Sequence, residues 1–278
     1  MAKKICIEEF LKRYMDKEII YIPNPGNAGD ALIAFATLQL FKKVGLRYII
    51  GDILEIYRNS TLFYGGGGNL IGIYHQCESF LNNNKPPYLG NQIVVLPHTI
   101  ASVDDLLHTT KDNVMFICRE LISCDYVSRV FKYANNVLLA DDIVFSIENL
   151  QEYASRIGKG TLNCFRTDCE RTAEDVPEDN EDLSVTMNDV WFIAFDYDLL
   201  QSMTHNIFSK IAKYDTIHTN RLHMAIVGSL LNKKVYFHSN SYYKCKAVYE
   251  YSIKDKFPNT TFFDKPPASR MARHLIKL

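Results

Sequence analysis

The sequence predicts an α/β fold in which parallel sheets carry helices on both faces, arranged as two domains. Three observations predict it. Short β-rich runs alternate with helical patterns, which favours parallel strands joined by crossover helices. The strand runs are continuously apolar, as in Ile19-Ile20-Tyr21-Ile22 and Ile93-Val94-Val95-Leu96, and such runs fit a sheet buried on both sides. The alternation weakens near Ser146–Gly160 and restarts at Thr161. That break puts a boundary near residue 150, with domains at 1–150 and 151–278. The two halves are expected to face each other across a cleft, with ligands at the carboxyl edges of the strands.

The elements follow in order. Met1-Ala2-Lys3-Lys4 precedes the mixed-polarity run Ile5–Tyr14, an amphipathic helix rather than a signal peptide. Ile19–Ile22 is a strand and Ala31–Val44 a helix, stopped by Gly45. Tyr48–Ile50 is a second strand. Leu62–Tyr64 is a third, running into Gly65-Gly66-Gly67-Gly68-Asn69 and a helix-like Leu70-Ile71. Ile93–Leu96, Val114–Ile117 and Val137–Leu139 are further strands, with a helix over Leu121–Tyr133. In the second half Gln151–Ile157 is helical, Gly158-Lys159-Gly160 a joint and Thr161–Phe165 a strand. Asp168–Asp189 is acid-rich around Pro177, the composition of an exposed or poorly ordered segment. Trp191–Phe195 reads equally as a strand or a helix start. Leu199–Lys213 is helical, Asp215–His218 a strand, Met224–Leu231 a helix, Val235–His238 a strand, Tyr242–Tyr251 a helix and Thr261–Phe263 a strand. The basic, amphipathic Ala268–Lys277 is a last helix, suited to packing back across the domain junction or to touching a membrane surface.

Composition narrows the function. Hydrophobic residues make up 47% and charged residues 23%, ordinary for a folded soluble domain. A net charge of −1 provides no global basic field for nucleic acid. The seven cysteines form no CxxC pair, so reduced thiols in a cytoplasmic protein are expected rather than a zinc site or a disulfide framework. No apolar stretch reaches the roughly 18 residues that span a bilayer.

The turn Thr219-Asn220-Arg221-Leu222-His223 joins a strand to a helix. Backbone N–H groups at a helix start attract anions. Arg221 adds a planar fork suited to phosphate or carboxylate, and His223 can move protons near neutral pH. Asn24-Pro25-Gly26-Asn27-Ala28-Gly29-Asp30 is its counterpart in the first half. Asp30 either caps a helix beginning at Ala31 or acts as a base, and spacing favours the cap. Gly67, Gly68 and Asn69 either approach a ligand closely or form a tight turn. Arg119 and Glu120 end the fifth strand, as a cleft pair or as a buried ion pair. Arg166 ends the strand after the break, facing an anion or pairing with Asp168. His98 follows Leu96-Pro97 at another strand end.

In their order and spacing, Asn24–Asp30, Gly65–Asn69, Leu96-Pro97-His98, Arg119-Glu120-x-x-Ser123, Phe165-Arg166-Thr167-Asp168 and Arg221-Leu222-His223 resemble the polysaccharide pyruvyl transferase family. The resemblance covers about Ile19 to Tyr251. It implies two Rossmann-like domains facing a cleft in the GT-B manner. It implies transfer of pyruvate from phosphoenolpyruvate onto a hexose of a capsule or exopolysaccharide precursor, as a cyclic ketal, with release of phosphate. Arg166, Arg221, Leu222 and His223 would hold the donor, with His223 as acid and Asp30 as base. Asn27, Gly67, Gly68, Asn69, His98, Arg119 and Glu120 would lie on the acceptor side or in the cleft. The implied partners are phosphoenolpyruvate as co-substrate and a polyprenyl-diphosphate-linked glycan. That acceptor would bring a cytoplasmic protein into peripheral contact with the inner membrane face. No further cofactor and no metal are expected. Two other readings compete: a GT-B-type glycosyltransferase using a nucleotide sugar, and a non-catalytic carbohydrate-binding protein.

Overall fold

Continuous apolar strands predict buried parallel sheets, and the chain forms two of them. The computed structural model describes residues 3–171, 176–185 and 196–264. The expected elements at Trp191–Phe195 and Ala268–Lys277 lie outside the described residues, as do 172–175 and 186–189 of the acid-rich segment.

The first sheet is assembled from β1 (Lys3–Lys4), β2 (Glu18–Ile22), β3 (Arg47–Ile50), β4 (Thr61–Tyr64), β5 (Gly67–Leu70), β6 (Gln92–Ile100), β7 (Val114–Cys118) and β8 (Val137–Leu139). The spatial order is β1-β8-β7-β6-β4-β2-β3, with β5 also pairing β6, and every pairing is parallel. Helices α1 (Ile7–Leu11), α2 (Ala28–Val44), α3 (Gln76–Asn84), α4 (Asp104–Thr109) and α5 (Leu121–Val130) lie between strands in the sequence. Gly45 stops α2 in the left-handed region at φ +73°, and the Leu46 N–H returns to the Phe41 carbonyl at 2.9 Å. The sheet interior is apolar, with Ile19, Tyr21, Phe41, Phe63, Val95 and Phe116 fully buried.

Two departures from expectation have local causes. Gly65–Asn69 does not lead into a helix. Gly67 opens strand β5, with φ +146°, a dihedral that glycine tolerates. β6 extends past Pro97, which carries no N–H for the ladder. Pairing with β7 shifts register between Val95 and His98, and proline is tolerated in a sheet at such irregularities.

The second sheet contains β9 (Thr161–Cys164), β10 (Thr216–Thr219), β11 (Lys234–His238) and β12 (Thr260–Phe263) in the order β12-β11-β10-β9, again all parallel. Its helices are α6 (Gln151–Ala154), α7 (Tyr197–Ala212), α8 (Leu222–Leu230) and α9 (Lys244–Val248). Asp196 caps α7 by accepting from the Leu199 N–H at 3.0 Å. α8 is apolar almost all round, and Leu222, Met224, Ala225, Ile226 and Val227 are buried.

The chain divides into two compact units. One comprises the chain up to Pro25 together with Ile33–Ile143, and the other Gly26–Leu32 together with the chain from Val144. The first turn of α2 thus belongs with the second unit. Among the described residues no helix is long and apolar enough to cross a membrane.

Gly228 faces β11 so closely that an added Cβ would lie 2.8 Å from Val235 Cγ2. Gly228→Ala is therefore expected to destabilise the protein by about 1–3 kcal/mol through overpacking, despite alanine's better helix propensity. Urea unfolding followed by circular dichroism measures it.

Candidate active site

The second sheet sets two arginines at one height. Thr219 and Cys164 are register partners in β10 and β9, and each arginine stands two residues beyond its strand end. Side chains tie the two exits together. Thr219 Oγ1 donates to the Cys164 carbonyl (2.6 Å) and accepts from the Arg221 N–H (2.9 Å). Asn220 Oδ1 accepts from the Arg166 N–H (2.7 Å). Arg221 then precedes α8, placing the buried Leu222 and the half-buried His223 in its first turn.

Both guanidinium groups are buried, so each must be compensated. Arg166 donates from Nε and Nη2 to Asp168 (2.7 and 3.0 Å) and from Nη1 to Glu170 (2.6 Å). Arg221 grips Asp182 through Nε and Nη2 (2.9 and 2.6 Å) and reaches Asp168 from Nη1 at 2.8 Å. Glu170 also accepts from Lys244 Nζ (2.7 Å) and Asn240 Nδ2 (3.1 Å). Burial on its own would lower Arg166, but Glu170 and Asp168 outweigh it and raise its pKa above the ordinary value. Burial likewise works to raise the Asp168 carboxyl, yet the hydrogen bonds and charge of Arg166, with the charge of Arg221, hold it below the usual carboxylate range.

These contacts correct the picture of the acid-rich segment. Its described portions are 168–171 and 176–185; the latter is a loop, as one expectation had it, but it is docked along β9 rather than loose. Asn180 exchanges side-chain hydrogen bonds with the Phe165 N–H (2.6 Å) and carbonyl (3.0 Å), and the Glu181 N–H donates to the Asn163 carbonyl (2.9 Å). Leu183 and Ser184 are buried. Asp182 additionally accepts from the Thr167 N–H (3.0 Å) and hydroxyl (3.1 Å). The sequence pairing of Arg166 with Asp168 is present, but Glu170, Asp182, Asn240 and Lys244 were not anticipated. Their partners lie far away in sequence or across turns, so no spacing rule marks them.

The turn at Asn27–Asp30 is a second correction. α2 begins at Ala28, not Ala31, and its cap is Asn27. Asn27 Oδ1 accepts from the Gly29 N–H (2.8 Å), while Asp30 Oδ2 accepts from the Asn27 N–H (2.9 Å). This is a reciprocal capping box with Asp30 in the third helical position. Within the same compact unit, Gly29 lies flush against His223: a Cβ there would come 2.1 Å from the imidazole Nδ1.

The other candidates belong to the first unit, in β5 and β6 and just past the end of β7. Asn69 Nδ2 donates to Asn24 Oδ1 and to Tyr64 OH (3.1 Å). His98 Nε2 lies 3.0 Å from Asn69 Oδ1 and 3.2 Å from Asn69 N, and its tautomer decides which contact it serves. His98 is fully buried. Desolvation, helped by the charge of Arg119, lowers its pKa to about 3, against an opposing Gly65 backbone hydrogen bond and the Asp142 charge. Arg119 and Glu120 do not form the expected pair. Arg119 binds Asp142 (2.8 Å) and Thr99 Oγ1 (2.8 Å), whereas Glu120 caps α5, accepting from the Ser123 N–H and hydroxyl. Burial raises the Glu120 carboxyl. Gly67 and Gly68 stand in β5 beside this network.

The second sheet is thus a parallel α/β frame that sets two guanidinium forks and an imidazole around adjacent strand ends, the forks compensated by three carboxylates. The chain belongs to the polysaccharide pyruvyl transferase family, whose family model matches residues 27–242. It is similar to EpsO of Bacillus subtilis (strain 168), whose name assigns it provisionally to the pyruvyl transferases. That similarity is 25% identity over 307 residues, covering 94% of this chain and 90% of that protein. It is also similar to the crystal structure of a functionally uncharacterised protein, KP1_0663, from Klebsiella pneumoniae subsp. pneumoniae NTUH-K2044. There the identity is 35% and the TM-score 0.80, over 92% of this chain and 96% of that one. Of the functions weighed from the sequence, the family supports pyruvyl transfer to a polysaccharide.

A neutral buried His98 makes stability pH-dependent. Its folded pKa is depressed below the ordinary value of about 6.5, so the unfolded chain binds more protons between pH 6.5 and about 3. Its contribution is complete above pH 6.5 and is lost as pH falls toward 3, by about 1.4 kcal/mol per pH unit for one proton. Unfolding free energies measured across that window should fall less steeply for His98→Gln than for the parent.

Proposed function

We propose that the pyruvyl donor is phosphoenolpyruvate, and that the product is a cyclic ketal on a hexose of a surface-glycan precursor. The acceptor in this reading is carried on a polyprenyl diphosphate, so the protein works in the cytoplasm, peripherally at the inner membrane face. The observation that carries the reading is the pair of buried forks, Arg166 and Arg221, leaving adjacent parallel strands at the same register with His223 two residues beyond Arg221.

The donor has two anionic ends, a carboxylate and a phosphate. Planar guanidinium forks suit both, because each can donate two parallel hydrogen bonds. Leu222 contributes apolar packing at the base of the turn. Protonation of the donor's methylene carbon makes the adjacent carbon electrophilic, and His223 is the acid for that step. A sugar hydroxyl attacks this carbon and surrenders its proton to a base, for which Asp30 is the candidate once it is released from its capping contact. Attack by a second hydroxyl closes the ketal as the C–O bond to phosphate breaks, and the hydroxyl's proton leaves with the phosphate. Fixed positive charge at the forks stabilises the leaving phosphate, and such preorganised charge is a large part of catalysis in water-poor sites. Asn27 holds the turn beside His223. Gly67, Gly68, Asn69, His98, Arg119 and Glu120 shape the acceptor side through the hydrogen-bonded network of the first unit.

Incubation with phosphoenolpyruvate and a lipid-linked hexose glycan should release phosphate and add the pyruvyl mass to the glycan. Turnover with a nucleotide sugar and none with phosphoenolpyruvate would reject the proposal. Arg166→Lys should raise the KM for the donor more than it lowers kcat, since a point charge replaces a fork. Gly29→Ala tests the placement of the imidazole. The added Cβ can be accommodated only if His223 moves, so the variant should fold with a lowered melting temperature, a cost of about 1–3 kcal/mol. Displacing the imidazole should also lower kcat by about 10²-fold, the scale of an ångström's misplacement. An unchanged kcat would remove His223 from the chemistry.

A further inference from the structure

Three carboxylates surround the two forks, and they are not equivalent. Glu170 is held by Arg166, Asn240 and Lys244, and its side chain is 5% exposed. Asp182 is held by Arg221, by the Thr167 N–H and hydroxyl and by the Ser184 N–H (3.2 Å), and its side chain is 6% exposed. Asp168 alone touches both forks, and its side chain is 35% exposed. Its remaining side-chain partner is the Glu170 N–H at 3.1 Å. Two of the three are therefore built into the wall. The third faces water.

The position of Asp168 is informative. A carboxylate accepting bidentately from Arg166 and once more from Arg221 makes the contacts that a phosphate or carboxylate oxygen pair would make with the same donors. Charge leads to the same conclusion. Arg166, Arg221 and Lys244 balance Asp168, Glu170 and Asp182, so the closed cluster offers no surplus to an anion. An anion arriving beside Asp168 would meet a like charge at contact range. With that carboxylate turned into water, the same cluster carries one net positive charge.

We propose that Asp168 is a displaceable internal ligand, holding the place between Arg166 and Arg221 that an anionic group of the donor takes, and leaving it when that group binds. The inference rests on the assignment of the forks to the donor. It adds a selection rule: an anion must satisfy both arginines at once to displace a carboxylate already bound to both. A weakly binding monoanion does not. As product phosphate leaves, Asp168 returns and reseals the cluster.

Calorimetry tests this with inorganic phosphate and, separately, with phosphoenolpyruvate, on the parent, Asp168→Asn and Asp168→Glu. Asp168→Asn keeps the size of the side chain and removes the competing charge. It should bind inorganic phosphate about tenfold more tightly, a gain of about 1.4 kcal/mol. Asp168→Glu keeps the charge and should not gain. Affinity that is unchanged or weaker in Asp168→Asn, or no phosphate binding by any of the three, overturns the proposal. Binding of phosphate with the expected gain, but of phosphoenolpyruvate by none, would instead reject the donor assignment and leave the displacement intact. A crystal of the parent protein grown with phosphate provides a test independent of any variant. The anion should bridge the two forks with the Asp168 carboxylate beyond hydrogen-bond reach of Arg221. Asp168 still bonded to both arginines, with the anion elsewhere, is the contrary result.

Discussion

Burying a guanidinium group without an anion is prohibitively costly, and the second unit is organised around meeting that demand twice. The parallel register of β9 and β10 brings Arg166 and Arg221 out of the sheet together. Their carboxylate partners must then come from wherever the chain can supply them. Asp168 and Glu170 come from the turn just beyond Arg166, while Asp182 is delivered by a segment docked along the sheet edge. Lys244 arrives from the start of α9 and compensates Glu170 in turn. Arginine burial, segment docking and helix placement are in this sense one electrostatic arrangement.

The first unit uses neutral groups where the second uses charges. Asn24, Tyr64, Asn69 and His98 share a hydrogen-bond network, and a buried ion pair of the same unit, Arg119 with Asp142, is stitched to Thr99. Such networks contribute little net stability but are costly to break, because each lost partner leaves a buried polar group unmet. The result is a tightly bonded set of buried polar side chains in the first unit.

Much of this was readable in the residues. Strands β2, β4, β7 and β8 fall where continuous apolar runs place them, since burial on both faces leaves an unambiguous signature. The turn around Arg221–His223 was equally readable, because a strand, a polar turn and an apolar helix lie in immediate succession. What escaped was decided at a distance. Asp182 looked like one acid among many in a solvated stretch, and only its separation of 39 residues from Arg221 explains the disguise. Glu120 and Arg119 are neighbours in sequence yet turn to different partners, since successive residues at a strand end point in different directions. Asn27 was overshadowed as a cap by Asp30, three residues along, because either residue type fits that role and only the fold chooses between them.

The second unit is discontinuous along the chain, and this bears on how the protein is made. Gly26–Leu32 emerges from the ribosome early, whereas β9 to β12 emerge last. The early segment must therefore wait, as the opening turn of a helix whose remainder already belongs elsewhere, until the late strands exist to receive it. Assembly of this half is governed by contacts remote in sequence, which are intrinsically slow to form and leave apolar surface exposed to aggregation in the interval.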